Sequence, residues 1–358
     1  MERVRVLMCG SSTKVHGGMN SVVNQLMRHN WGDNIKLIYL PTHTIGNNFK
    51  KIFYFSISYI KLFFLLLFNR FDVVHLHMSY KGSFYRKYYV SKLCKKFNKK
   101  VIIHLHGSEF KDFYNRADDK LKKQIIELFS MVDCTIALGN EWFNFIKSIV
   151  PNANVEIINN AVKIPKEQKL KSSDENKFLF LGALIERKGV QDLIEAAKIL
   201  KSKGIKKFKC LIAGDGPEKD KLVNLVKKYE LEDNFEFLGW INGIQKQELL
   251  INSDVLILPS YNEGLPIAIL EAMSYSLPII STDVGSISEA VKENCNGYLI
   301  KPGDYNALEK AMSYMILDEK LWGDFSKQSR TIAESYFSED TFFDKISKLY
   351  LKLSELVD

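Results

Sequence analysis

Cysteine is scarce in this chain. The 358 residues hold five, Cys9, Cys94, Cys134, Cys210 and Cys295, an odd number with no CxxC pair. Scattered single thiols exclude a disulfide frame and a zinc knuckle, and they predict reduced core cysteines in a cytosolic compartment. Eight prolines and twenty glycines leave no room for a long fibrous or disordered segment. The opening residues lack an apolar stretch long enough for a signal peptide, and residues 4–9 read as a buried strand instead.

Acidic residues are also short, but only in the first half. Residues 1–160 carry 23 Lys+Arg against 11 Asp+Glu, and the remainder 27 against 31, within a net charge of +8. A basic half joined to a mildly acidic half predicts that one domain meets an anionic surface. Residues 81–123 hold 13 Lys/Arg and 4 Asp/Glu, interleaved with Tyr80, Phe84, Tyr85, Tyr88, Tyr89 and Phe97. Cations mixed with interfacial aromatics suit an anionic membrane, and a solvated helix face fits the same residues. No nucleic-acid motif accompanies the charge, so nucleic acid is not expected as a partner.

What is present in quantity is short apolar runs. Residues 4–9, 35–40, 73–76, 101–105, 134–137 and 155–158 read as buried strands, followed by 177–181, 208–213, 235–238, 255–258, 279–281 and 297–300. Helical patterns separate them, which predicts an α/β chain with two parallel, doubly wound sheets. Two domains also follow from length, since 358 residues exceed what one core usually serves. The expected break falls where polar residues replace the periodicity, giving domains 1–165 and 166–340. Residues 52–68 are apolar apart from Ser56, Ser58 and Lys61. Seventeen residues with a mid-run lysine make a poor membrane span. The expectation is a helix that packs on the sheet and touches lipid.

Several motifs sit where such sheets carry chemistry, at the carboxyl ends of strands. Gly17-Gly18 precedes a helical run, which lets backbone approach a phosphate, although the pair lacks the full GxGxxG fingerprint and also suits a plain turn. His104-Leu105-His106-Gly107 ends a strand and frees His106 at its lip; a lone histidine is more often a satisfied structural residue. His75-Leu76-His77 repeats the pattern one strand earlier, yet no carboxylate or cysteine stands at ligand spacing, so no metal is expected. Arg187-Lys188-Gly189 puts two cations before a helix, an anion site or a solvated turn. From Leu258 to Met273 a strand, a Glu263-Gly264-Leu265 loop, Pro266 at the expected first helical position and Glu271 follow in order. The helix start would face a diphosphate, and the two carboxylates would accept from sugar hydroxyls. Capping by Glu263 and a surface position for Glu271 is the plainer alternative. The apolar neighbours of Glu271 favour a buried, partnered role.

In this order and spacing, joined by Gly214-Asp215-Gly216-Pro217, Leu238-Gly239-Trp240, Thr282-Asp283-Val284-Gly285 and Asn296-Gly297, the chain resembles the retaining glycosyltransferases of the GT-B fold called family 4. The likeness runs over essentially the whole chain and is strongest over 177–303. It implies two Rossmann-like domains, the first acceptor-side and completed by a terminal helix in 341–358, the second binding the nucleotide-sugar. Gly17 and Gly18 would lie by the donor diphosphate and His106 by the transferred sugar. Lys188 would neutralise the leaving diphosphate, helped by Arg187. Glu263 would hold sugar hydroxyls beside the Gly264-Leu265-Pro266 backbone. Glu271 would hold the ribose, and Trp240-Ile241 the base. The resemblance also implies a UDP-sugar donor, a glycan or lipid-linked acceptor, no cofactor or metal, and a place at the inner face of the plasma membrane.

The chain departs from the family at Ala183, where arginine usually follows the loop glycine, and at Ser276 and Ser286, where glycines are common. It has no DxD motif, so the metal-bound donor site of the other main transferase fold is not expected. A nucleotide-sugar 2-epimerase of the same fold is the alternative enzyme, which would have no use for a basic, aromatic membrane face. A non-catalytic sugar-binding protein is the third reading. Ala183 favours it, and Lys188, Glu263 and Glu271 oppose it.

Overall fold

The computed structural model describes residues 3–12, 15, 18–68, 71–166, 175–241 and 243–355. All twelve apolar runs form strands, some extended by up to three residues. In the first half these are β1 (Val4–Ser11), β2 (Ile35–His43), β3 (Val73–Met78), β4 (Lys100–Leu105), β5 (Cys134–Ala137) and β6 (Val155–Ile157). The second half has β7 (Asn176–Leu181), β8 (Phe208–Ala213), β9 (Phe235–Gly239), β10 (Val255–Leu258), β11 (Ile279–Thr282) and β12 (Gly297–Ile300). The sheet orders are β2-β1-β3-β4-β5-β6 and β12-β11-β10-β7-β8-β9. Every strand pairing in both is parallel. Continuous rather than alternating Val/Ile/Leu is what such sheets need, because helices cover both faces; all six residues of β3 are buried.

The helices of the first half are α1 (Gly18–Arg28), α2 (Asn48–Phe68), α3 (Gly82–Lys96), α4 (Phe110–Asn115), α5 (Asp119–Met131) and α6 (Asn140–Ile149). Those that follow are α7 (Val190–Ser202), α8 (Lys219–Lys228), α9 (Gly243–Asn252), α10 (Ile267–Ser274), α11 (Ile287–Ala290), α12 (Tyr305–Leu317), α13 (Glu319–Tyr336) and α14 (Glu339–Ser354). The chain divides into two compact units, one taking residues up to Asn160 and again from Phe342, the other Ala161–Thr341. The first division lies five residues before the sequence-based break at 165. That break runs into 167–174, which lie outside the described residues, as do 356–358, the last residues of the terminal helix expected in 341–358.

One element differs from its expectation. α2 does not pack broadly on its sheet. It buries Ser58, Leu62 and Leu66 along one narrow face, and Ser58 Oγ donates to Pro41 O at 2.9 Å. Most of the rest is open to solvent, and only 17% of its most apolar stretch is buried. Phe49 is 80% and Phe68 74% exposed. The i, i+4 spacing of the buried residues is helical, but the outer face is as apolar as the inner one.

Candidate active site

In the second unit three loops converge at the carboxyl end of the sheet. After β7, residues 186–188 make a single helical turn that ends at Gly189, whose φ of 73° is left-handed. A Cβ there would lie 2.0 Å from Pro259 O, so only glycine lets this turn meet the loop after β10. Gly285, at φ 61°, does the same for the loop after β11, where a Cβ would fall 2.2 Å from Glu263 O. Ser286 N donates to Gly264 O at 2.9 Å, and Tyr261 N to Arg187 O at 2.8 Å.

This convergence brings most of the expected residues of this unit into one neighbourhood. Lys188 Nζ donates to the carboxylate of Glu263, which is buried. Arg187 Nη1 donates to Asn262 O at 2.8 Å, so the guanidinium braces the Glu263 loop and keeps its other donors. Pro266 is the N-cap of α10, with Ile267 first in the helix, one residue later than the sequence pattern predicts. Its φ of −67° is what the proline ring imposes, and no side chain caps the helix start. Leu265 is buried, and Gly264 joins it to Glu263. Ser260 Oγ and Ser286 Oγ are buried with no partner among the described residues, polar atoms of a kind that a bound ligand satisfies.

Glu271 is only half-buried, and its partner is Lys246 on α9. Sequence reasoning missed Lys246 because nothing in its local pattern separates it from an ordinary surface lysine. Trp240, 52% exposed, and Ile241 follow β9.

The first unit holds the remaining candidates. Gly18 opens α1, and Gly17 lies outside the described residues. His106 follows β4, and its Nε2 is hydrogen-bonded to His77 Nδ1 at 2.9 Å. Beside this pair His75 bonds to Tyr350 of α14 at 2.6 Å and to His104 at 3.3 Å. Parallel pairing of β3 with β4 sets His77 opposite His104, which is why the two histidine pairs stack. Burial pushes His75 and His106 down to about 3, and holds His77 and His104 well below the ordinary histidine value, so all four are neutral at pH 7. Neutral rings accept as well as donate, which such a stack requires.

His75, His77 and His104 have ligand-capable atoms within 4.8 Å of one another. Both nitrogens of His75 already bond to protein, so a divalent ion would have to displace Tyr350 or His104. His77 Nε2 and His104 Nε2 have no partner among the described residues. The roles of His77 and Tyr350 were not visible in sequence, since β3 had to be registered against β4 first.

Two parallel six-stranded units, with cations, carboxylates and an uncapped helix start at the strand ends of the second, are an α/β architecture whose strand-end loops suit an anionic ligand. Residues 162–332 match the family model described as glycosyl transferases group 1. The Escherichia coli UDP-Gal:alpha-D-GlcNAc-diphosphoundecaprenol alpha-1,3-galactosyltransferase is 31% identical over 320 residues, covering 83% of this chain and 79% of that protein. The chain belongs to the group 1 glycosyltransferases. Its fold is GT-B, as in the sucrose-phosphate synthase of Thermosynechococcus elongatus (TM-score 0.81, 18% identity, 98% and 99% of the two chains). Anabaena HepE in complex with UDP is similar as well (TM-score 0.76, 16% identity, 98% and 100%).

Proposed function

We propose that this glycosyltransferase is a retaining hexosyltransferase of family 4 that uses a UDP-sugar and extends a lipid-linked glycan at the inner face of the plasma membrane. The observation that carries the reading is the loop cluster around Lys188, Glu263 and the open start of α10. When the bond from the sugar's anomeric carbon to the donor breaks, negative charge grows on the leaving diphosphate. Lys188, the free donors of Arg187 and the first N–H groups of α10 stabilise that charge. Before donor binds, Glu263 occupies Lys188; a diphosphate competes for the ammonium and frees the carboxylate for sugar hydroxyls. Glu271, with Lys246 at its side, holds the ribose, and Trp240-Ile241 meet the base. In the first unit Gly18, at the start of α1, and His106, after β4, are left the roles that the family resemblance implies. The positive charge of Lys188 and Arg187 takes the place that a metal would otherwise fill.

UDP in the HepE complex and the UDP-Gal donor in the name of the Escherichia coli relative support the nucleotide. The same name supports a diphosphate-lipid acceptor. The relatives reported above are synthases or transferases by name, which disfavours the epimerase alternative. Membrane attachment rests on α2. Its outer pole (Phe49, Phe53, Ile60, Phe64, Leu67) is apolar and exposed, with Lys50 and Lys61 three turns apart on one shoulder. On the other shoulder α3 presents exposed Tyr85, Tyr89 and Lys96. A helix lying in the interfacial plane fits this arrangement. A perpendicular span would strip Ser58, Leu62 and Leu66 from the protein.

The test is transfer from UDP-glucose, UDP-galactose and UDP-N-acetylglucosamine to sugar-diphosphate lipid in vesicles, with the product anomer read by NMR. An α-linked product that survives EDTA is expected. A β-linked product overturns retention, and donor epimerised without transfer restores the epimerase. Donor binding with no turnover on any acceptor leaves a sugar-binding protein.

A further inference from the structure

In the first unit a group of cations has no carboxylate partner among the described residues. Lys87, on α3, is only 2% exposed, and its ammonium donates to Thr42 Oγ1 at 2.6 Å. That hydroxyl in turn donates to Gly10 O at 3.1 Å, so Lys87 lies beneath the carboxyl ends of β1 and β2. Among the described residues no carboxylate pairs with it. A buried ammonium held only by a hydroxyl is costly, and the group responds by shifting toward neutrality. Desolvation, with Arg86 adding to it, brings Lys87 down to about 8 despite an opposing effect from Cys9.

The surroundings deepen the imbalance. Arg86 precedes Lys87 on α3, and its Nε is buried without an acceptor among the described residues. His43, at the end of β2, bonds to Ser11 Oγ at 3.3 Å and is pushed down to about 4 by burial, then by Arg86, Lys51 and Lys87. The α3 helix begins at the same end of the sheet. Its N-cap, Lys81, makes no side-chain cap and stands at a left-handed φ of 51°. A lysine there is strained, and such strain persists only where the surroundings hold it. An uncapped helix start, with Arg86 Nη1 3.2 Å from where a Cβ on Gly82 would stand, an orphaned guanidinium nitrogen, a buried ammonium and a cation-flanked histidine therefore lie at one end of the sheet. None of the groups that shift Lys87, Arg86 or His43 is a carboxylate.

We infer that Arg86, Lys87, His43 and Lys51, with the start of α3, form a phosphoryl-binding subsite in the first unit that takes the phosphate of the acceptor. This rests on the transferase reading, for which it specifies a phosphorylated acceptor. Arginine supplies the planar fork and lysine the point charge that a phosphate or diphosphate requires. The subsite is separate from Lys188 and Glu263, which belong to the other unit.

The probe is inorganic pyrophosphate, titrated by calorimetry into protein saturated with UDP so that the donor position is filled. Wild type is expected to bind, and Arg86→Gln to bind at least tenfold more weakly with UDP affinity unchanged. Lys87→Met is the second variant. If the cation awaits a ligand, methionine keeps or raises the melting temperature while pyrophosphate binding is lost; if Lys87 serves the fold, melting falls and the proposal fails. Wild type that takes no pyrophosphate, or Arg86→Gln that binds it as wild type does, also overturns the subsite. Failure of wild type to bind UDP strikes the donor reading alone, and the pyrophosphate titration is then run without it. Vesicles of phosphatidylglycerol with and without undecaprenyl phosphate separate the two sources of phosphate. A loss in Arg86→Gln specific to the doped vesicles assigns the subsite to a lipid-linked phosphate. A loss seen only with pyrophosphate assigns it to a soluble one.

Discussion

The first unit carries all seven histidines and the excess of lysine and arginine, whereas residues 161–341 contain no histidine. Both units use the same six-stranded parallel plan. They differ in how their polar groups are satisfied. In the second, cation meets carboxylate: Lys188 with Glu263, Lys246 with Glu271, Lys203 with Glu309. The first also has such pairs, Lys92 with Glu127 and Lys95 with Asp133, but there Lys87 has a hydroxyl, four histidines have mainly one another, and α2 has solvent on an apolar face. The nucleotide-diphosphate donor proposed for the second unit suits an internally paired site. The groups left open in the first unit suit a ligand and a surface that the protein does not itself contain.

The largest expected effect sharpens the second unit's side of this comparison. Lys188→Ala should lower turnover by on the order of a hundredfold or more, as loss of a charge-stabilising donor does. Steady-state kinetics at saturating donor checks it, and a loss under threefold would remove Lys188 from the leaving-group role.

Acid should separate the units next. His75, His77 and His104 are fully buried with folded values far below the ordinary 6.5. The unfolded chain therefore binds more protons as pH falls below that value, and stability is lost from about pH 6.5 down toward the folded values. Each group costs about 1.4 kcal/mol per pH unit across that window. Hydrogen exchange, corrected for intrinsic rates, should show β3, β4 and α14 opening between pH 6.5 and 5 while β7 and β10 stay protected. Equal loss of protection in both sheets would break the comparison.

The smallest effect expected is on attachment. Fully burying a Phe side chain contributes roughly 1.5–3 kcal/mol, so Phe53→Ser with Phe64→Ser should weaken binding to phosphatidylglycerol vesicles about tenfold or more, even in high salt. Flotation at low and high salt reads this. Unchanged binding by the double variant at both salts would move attachment from α2 to the basic residues of 81–123. Not all of those lysines are free to serve. Lys95 and Lys100 both pair with Asp133, at 2.8 and 3.7 Å, and that carboxylate also accepts from Val101 N at 2.8 Å. Charge reversal there would damage the fold before it reported on lipid.

Much of this architecture was legible in the order of residues. Continuous Val/Ile/Leu runs identified all twelve strands, because a strand buried on both faces admits little else. Glycines with no alternative marked the loops, as Gly189 and Gly285 show by the backbone they touch. Arg187, Lys188, Glu263 and the start of α10 could be expected near one another, since all follow strand ends of one parallel sheet. The departures at serine have a partial account: Ser276 sits at φ 65°, a left-handed position where glycine is free of strain, while Ser286 does not.

Only the tertiary structure decided the rest. Residues 52–68 are apolar all round, and periodicity cannot say which side of such a helix is covered. The histidine stack, the Lys246–Glu271 pair and the hold of Asp133 on two lysines join residues between about 25 and 40 positions apart. Lys87 looked like one more member of a basic helix face. Burial without a counter-charge is a property of its neighbours, which the chain brings together only on folding.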